Sequence, residues 1–241
     1  MKTAVIFMFL ALFSTGCAEK RTPIDDWQSM QQEIREEKID KSTAAEKLAR
    51  IVDGLKQYSK RKYSFKEEKW AFPLTNSSRS TVLKYDFYPN AIYGPYKTRG
   101  YDFFEGNKHG GHPAHDIFIR DRNQDSYDDK TKKPVNVVTM TDALVLSICY
   151  DWKKGSKLRG GKYVWSYNPA ENKFFYYAHL KNVLVQPGQF VKKGDTIGTV
   201  GRTGMLAAVK KSATHVHLTV LEYKEGKMKP YDFYKEIKRL H

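Results

Sequence analysis

Three histidines and one carboxylate fall within eight positions, His109, His112, His115 and Asp116, around the stretch GGHPAHDIF. Two more histidines, His215 and His217, share THVHL; His179 closes YYAHL, and His241 is the last residue. Imidazole nitrogen and carboxylate oxygen are donors that zinc accepts. Residues two or four apart on an extended chain share a face. His215 and His217 therefore project together, while Val216 and Leu218 face the core. By the same parity His112 pairs with Asp116, and His115 points away. The glycines at 110 and 111 uncouple the direction of His109, which, with His241, is expected in solvent. His112, Asp116 and one member of the THVHL pair would supply two nitrogens and one oxygen, with a fourth position kept for water. Zinc lowers the pKa of such water toward neutrality and polarises a bound carbonyl. His179 and the other member of the pair could then move a proton or stabilise an oxyanion. Spacing does not decide which member is the ligand.

These side chains need a frame. From about residue 70 to 222, short apolar and aromatic runs alternate with Gly, Asn, Pro and Asp breaks: HDIFI, VNVVTM, ALVLSICY, KYVWSY, KFFYYAHL, VLVQPGQFV, DTIGTVG and HVHLTVLEY. WAFPL and TVLKYDFY have the same texture. Many short strands separated by turns predict a mainly β, antiparallel domain. PYDFYKEIKRLH reads as a short terminal helix. Upstream, Thr22-Pro23-Ile24-Asp25 reads as a helix start, with Thr as N-cap and Pro at the first helical position. Thr43 to Glu46 reads as a capping box before Leu48, Ile51, Val52 and Leu55 at helical spacing. Residues 23–60 are thus two helices, a small stalk or packing appendage, with a spacer between a membrane and the β-domain as the preferred reading.

The first residues set the compartment. MKTAVIFMFLALFSTGC carries one lysine, an apolar run from Ala4 to Phe13 and then small residues. The run is too short to span a bilayer and reads as a signal peptide over 1–16. Ser14-Thr15-Gly16-Cys17 resembles a bacterial lipobox, with Cys17 as the lipidated residue, although Ser14 stands where Leu is commonest. A lipid-anchored tether and helical segment would then cover 17–69, outside the cytoplasm. Cys149 is left without an intrachain partner and reads as a buried small hydrophobe, so no disulfide framework is expected. The formal charge of +15 draws the chain to polyanions such as an anionic membrane or an acidic wall polymer. No nucleic-acid-binding motif accompanies that charge, so nucleic acid is not expected as a partner.

HPAHD, YYAHL, the Gly-rich QPGQFVKKGDTIGTVGRTG and THVHL occur in that order. Together they resemble the lysostaphin-type zinc metallopeptidases, which cut peptide cross-links in bacterial peptidoglycan. The resemblance covers about 70–222, with PYDFY where that family often ends its domain. It implies a compact antiparallel β-domain of the duplicated hybrid motif kind, over 70–241, with a groove across the sheet. It implies His112, Asp116 and His217 as zinc ligands, and His179 and His215 as catalytic histidines. One of these acts as base toward the water and the other steadies the oxyanion. The implied activity is endopeptidase cleavage of peptidoglycan by a zinc-activated water.

Two stretches depart from the family pattern. Arg120 to Lys133 intervenes after HPAHDIFI, and Met205 to Ala213 separates GRTG from THVHL. Both are expected to wall the groove and shape substrate preference. In the first, Asp121, Asn123, Asp125 and Asp129 match positions 1, 3, 5 and 9 of a calcium loop. Ser126 and Lys132 replace the Gly and Glu of that template, and a polar loop with Asx turns is the plainer reading. Two other functions compete with the peptidase: a non-catalytic relative that binds the wall or activates another hydrolase, and a carrier β-domain modified at Lys192 or Lys193. All five site positions are occupied, which favours the enzyme, and the carrier leaves the histidines unexplained.

Overall fold

The computed structural model describes residues 21–66, 68–75 and 96–240. The signal segment, Cys17, the run TVLKYDFY and His241 lie outside the described residues. Helix α1 (Pro23–Arg35) starts as its sequence predicts: the Thr22 side chain accepts from the Asp25 amide, and the Asp25 carboxylate accepts from the Thr22 amide at 2.7 Å. Its buried residues, Ile24, Trp27, Met30 and Ile34, form one stripe. Helix α2 (Lys41–Lys62) begins earlier than the Thr43–Glu46 pattern suggested. Asp40 is its N-cap and accepts from the Thr43 amide at 3.0 Å, so the cap lies three residues upstream of Thr43.

Eleven strands follow among the described residues: β1 (Leu74–Thr75), β2 (Ala114–Phe118), β3 (Asn136–Val138), β4 (Ala143–Cys149), β5 (Lys162–Asn168), β6 (Lys173–Leu180), β7 (Asn182–Val183), β8 (Phe190–Val191), β9 (Thr196–Thr199), β10 (His215–Lys224) and β11 (Lys227–Pro230). The predicted terminal helix is α3 (Tyr234–Leu240). Every named pairing is antiparallel. The small sheet runs β1-β3-β9-β7, and the large one β11-β10-β6-β5-β4-β8, with β2 on β10. The expected mainly β, antiparallel class is what the chain adopts.

Strand alternation sorts the large sheet into two faces. Phe175, Tyr177, Val216, Leu218 and Val220 point to the core shared with the small sheet. Leu144, Leu146, Trp165, Phe174 and Ala178 point the other way and are covered by α1 and α2. The helices are therefore more than a spacer. Trp27 is fully buried, stacks on Phe174 with ring centroids 5.0 Å apart, and donates its indole N–H to Ser147 Oγ at 3.2 Å. Its amphipathic helix had an apolar stripe to bury, and the exposed aromatic face of the sheet was available. Cys149 is half-buried at the edge of this layer, less enclosed than expected. Lys193 pairs with Glu68 at 2.6 Å.

Candidate metal centre and active site

The site lies on the same sheet face as the helices. Strand β10 pairs with β2 so that His217 lies opposite Asp116, and with β6 so that His217 lies opposite Ala178. Register alone thus brings residues a hundred positions apart side by side. Asp116 accepts from His217 Nδ1 at 3.0 Å, and His112 Nε2 lies 3.4 Å from its other oxygen. Ligand atoms of His112, Asp116 and His217 all fall within 4.8 Å of one another, the one such group of three among the described residues. Two imidazoles and a carboxylate gathered this closely fit the donor set of a catalytic zinc site. His217 Nε2 sits 3.3 Å from Thr219 Oγ1, a contact that orients the ring.

His179 reaches this cluster through a local defect. By alternation it should face the core behind Ala178. Lys162 pairs with Leu180 and Val164 with Tyr177, so Ala178 and His179 together oppose Tyr163. This two-against-one bulge, with His179 at φ +63°, turns the imidazole onto the groove face. A left-handed β-strand residue is strained by about 1–2 kcal/mol, and such strain gathers at functional sites. The loop behind it is shaped for the ring: a Cβ on Gly204, at φ +111°, would lie 2.4 Å from the Arg159 carbonyl and 2.8 Å from His179 Nδ1.

His179 Nδ1 lies 2.7 Å from the Thr203 carbonyl, and His215 Nδ1 2.7 Å from the Ala213 carbonyl. A carbonyl only accepts, so each Nδ1 carries the proton and each Nε2 keeps its lone pair. The His215 Nε2 is 3.9 Å from Asp116, and the His179 ring centroid is 4.9 Å from that of His215 and 5.5 Å from that of His217. Burial pushes His179 well below the usual imidazole range, aided by its histidine neighbours. Burial likewise pushes His217 down to about 4. At Asp116 burial works to raise the carboxyl; His215, His112 and His217 outweigh it and hold it well below the usual carboxylate range. A neutral His217 beside an ionised Asp116 has the protonation states a metal requires of its ligands.

The parity reading separates His112 from His115. His115 is buried on the far side, 2.9 Å from Asp232 and stacked on Tyr96. His109 departs from expectation: it is half-buried in the groove wall, edge-on to Tyr101 at 4.8 Å, because Arg159 donates to its carbonyl and holds the loop inward. Among the described residues the acidic loop gathers no group of three donors. Asp121 accepts from the amides of Asp125 and Ser126 and from Thr214 Oγ1, Asp125 accepts from Asn123 and the Tyr127 amide, and Asp129 accepts from the Arg122 amide. These carboxylates cap turns and tie the insertion to β10; they form no donor group of three. The calcium expectation thus gains no support, and the polar loop with Asx turns accounts for these contacts. The second insertion does wall the groove, through Leu206, Val209 and Lys211.

The groove is a cavity of about 530 Å³ holding all five site residues at one side. Its floor beyond them is Tyr163, Trp165 and Tyr176, and α1 contributes Gln31 and Arg35 to its wall. The sequence reading missed this floor and wall. Its available signal was the aromatic alternation of KYVWSY and KFFYYAHL.

Residues 123–230 match the model of Peptidase family M23. That stretch contains YYAHL, the Gly-rich segment and THVHL, three of the four ordered motifs on which the resemblance rests. The match takes in His179, His215 and His217 and begins downstream of His112 and Asp116, which β2 pairing brings to the same place. Among solved structures, the chain is similar to one named for a glycyl-glycine endopeptidase lytM of Ruminococcus gnavus, at 22% identity over 70% of this chain and 59% of that one, with a TM-score of 0.47. It is similar to the catalytic domain of the antimicrobial peptidase lysostaphin from Staphylococcus simulans, at 20% identity over 54% and 82%, TM-score 0.38. A zinc containing peptidase from Vibrio cholerae matches at 17% identity over 71% and 40%, TM-score 0.38. The chain thus spans 59% of the Ruminococcus chain and 40% of the Vibrio one. None of the curated proteins matches the sequence.

Proposed function

We propose that this chain is a zinc-dependent endopeptidase that hydrolyses peptide cross-links of bacterial peptidoglycan. The observation that carries the reading is the meeting of His112, Asp116 and His217 donor atoms within 4.8 Å, beside two histidines whose Nδ1 protons are committed to backbone carbonyls. His112, Asp116 and His217 would hold the zinc, which when bound lowers the pKa of water and polarises a peptide carbonyl. His179 and His215 do the proton work at Nε2. One accepts at Nε2 the proton released as the water attacks and returns it to the leaving amine; the other must first take a proton from solvent at Nε2 before it donates to the developing oxyanion. Thr203 and Ala213 fix both rings by holding Nδ1. The aromatic floor gives an extended peptide an apolar bed and keeps water away from one side of the reacting carbonyl.

The leader and lipobox-like pattern support an exported protein held to a membrane by a lipid on Cys17. No helix among the described residues is long and apolar enough to cross a membrane. The test is purified chain, assayed for bound zinc and incubated with sacculi. One zinc per chain and release of cleaved muropeptides are expected. A chain that takes up no zinc and digests no sacculi overturns the enzyme reading in favour of a wall-binding relative.

A further inference from the structure

Beyond the histidines, the groove has cations without partnering carboxylates. Arg35, Arg159 and Lys211 line the cavity, and the one carboxylate that lines it is Asp116 of the donor cluster. Among the described residues, none of these three cations forms a salt bridge. Arg35 ends α1, and its Nη1 donates to the Tyr163 hydroxyl at 3.2 Å, which holds the guanidinium at the wall. Arg159 donates to the carbonyls of Asn107 and His109, so its head is tethered while its charge stays uncompensated. From Arg35 the floor leads inward in two ring steps, Tyr163 to Tyr176 at 5.3 Å and Tyr176 to His217 at 6.3 Å. About four residues of extended peptide cover such a span.

We infer that this groove selects peptides bearing a carboxylate a few residues from the scissile bond, with Arg35 as the residue that receives it. A planar guanidinium takes a carboxylate through two parallel hydrogen bonds, and the Tyr163 hydroxyl holds that of Arg35 at the wall. Arg159 and Lys211 add field of the same sign. A neutral chain such as oligoglycine gains nothing from these charges. The inference rests on the peptidase reading and specifies its substrate class: acidic stem peptides rather than neutral bridges.

The test uses two cross-linked muropeptides that differ only in whether their stem carboxylates are free or amidated. The zinc-loaded full chain is expected to cleave the free acid with kcat/KM about tenfold higher, through KM, the size of one charge-assisted hydrogen bond. Arg35→Gln should bring that ratio toward one. Tyr163→Phe, which only frees the guanidinium, should lower it by a smaller factor. Calorimetric titration of both peptides into chelated, zinc-free chain reads the same preference with no metal competing for the carboxylate. Equal kcat/KM or equal Kd for the two peptides overturns the inference, as does a ratio that Arg35→Gln leaves intact. Cleavage of neither peptide, with the Kd preference still present, overturns the peptidase reading and leaves the carboxylate site standing.

Discussion

One face of the large sheet carries two regions made of opposite materials. At one end His112, Asp116, His179, His215 and His217 crowd together, with Asp116, His179 and His215 buried and His112 and His217 half-buried. At the other, Trp27 of α1 packs on Phe174, with Trp165 edge-on at 5.7 Å, and water is excluded by apolar area. The aromatic end is self-sufficient: its side chains pack on one another, and the Trp27 indole N–H finds Ser147. The histidine end is not. It concentrates desolvated imidazoles around one carboxylate, an arrangement that costs free energy until a cation joins it. Stability and chemistry are thus separated along one surface, and the groove between them is where a peptide can reach both.

That separation can be broken from either side. His112→Ala, Asp116→Ala or His217→Ala should abolish zinc uptake and cut sacculus digestion by more than about a hundredfold, more than loss of a residue that only supports a ligand; retention of stoichiometric zinc would refute the ligand set. His179→Ala and His215→Ala should keep much of the zinc and lose turnover by about 10²–10⁴-fold, the range for a removed acid or base. Equal loss of metal in these variants would make them ligands instead. Trp27→Ala should cost about 3–5 kcal/mol in urea unfolding, with or without zinc, as for other deleted core aromatics. An unchanged midpoint would restore the helices to a mere spacer. Chelation should lower the unfolding free energy by about 3 kcal/mol, and Tm with it, through loss of a ligand bound only by the folded chain at a hundredfold excess of zinc over Kd. The Trp27→Ala and chelation effects should add within about 0.5 kcal/mol if the two ends are independent. Smallest is His115→Ala, which should change zinc affinity by less than about threefold because its ring faces Asp232; damage equal to His112→Ala would overturn the parity assignment.

Much of the site was legible because strand geometry is local. Alternation set His112 and Asp116 on one face, His115 on the other, and His215 with His217, and all of these placements hold. The strand runs, the α1 cap and the terminal helix were legible for the same reason: each depends on neighbours within four residues. His179 was nominated by motif order, but its direction was not readable, since alternation would send it into the core. The α2 start was misplaced because Asp40 competes with Thr43 for the cap and wins by three residues.

Sequence by itself determined the chemistry on offer: which residues can ligate, which strands carry them, and that residues 23–60 hold two helices. Tertiary structure decided the rest. Antiparallel pairing of β2 and β6 with β10 put Asp116, Ala178 and His217 in one row, a register no short stretch encodes. The bulge at His179 turned its ring toward them. The folding of α1 onto the aromatic face placed Arg35 at the groove wall. These outcomes depend on contacts between residues distant in the chain, where packing and hydrogen-bond satisfaction of the whole sheet choose among locally equivalent arrangements.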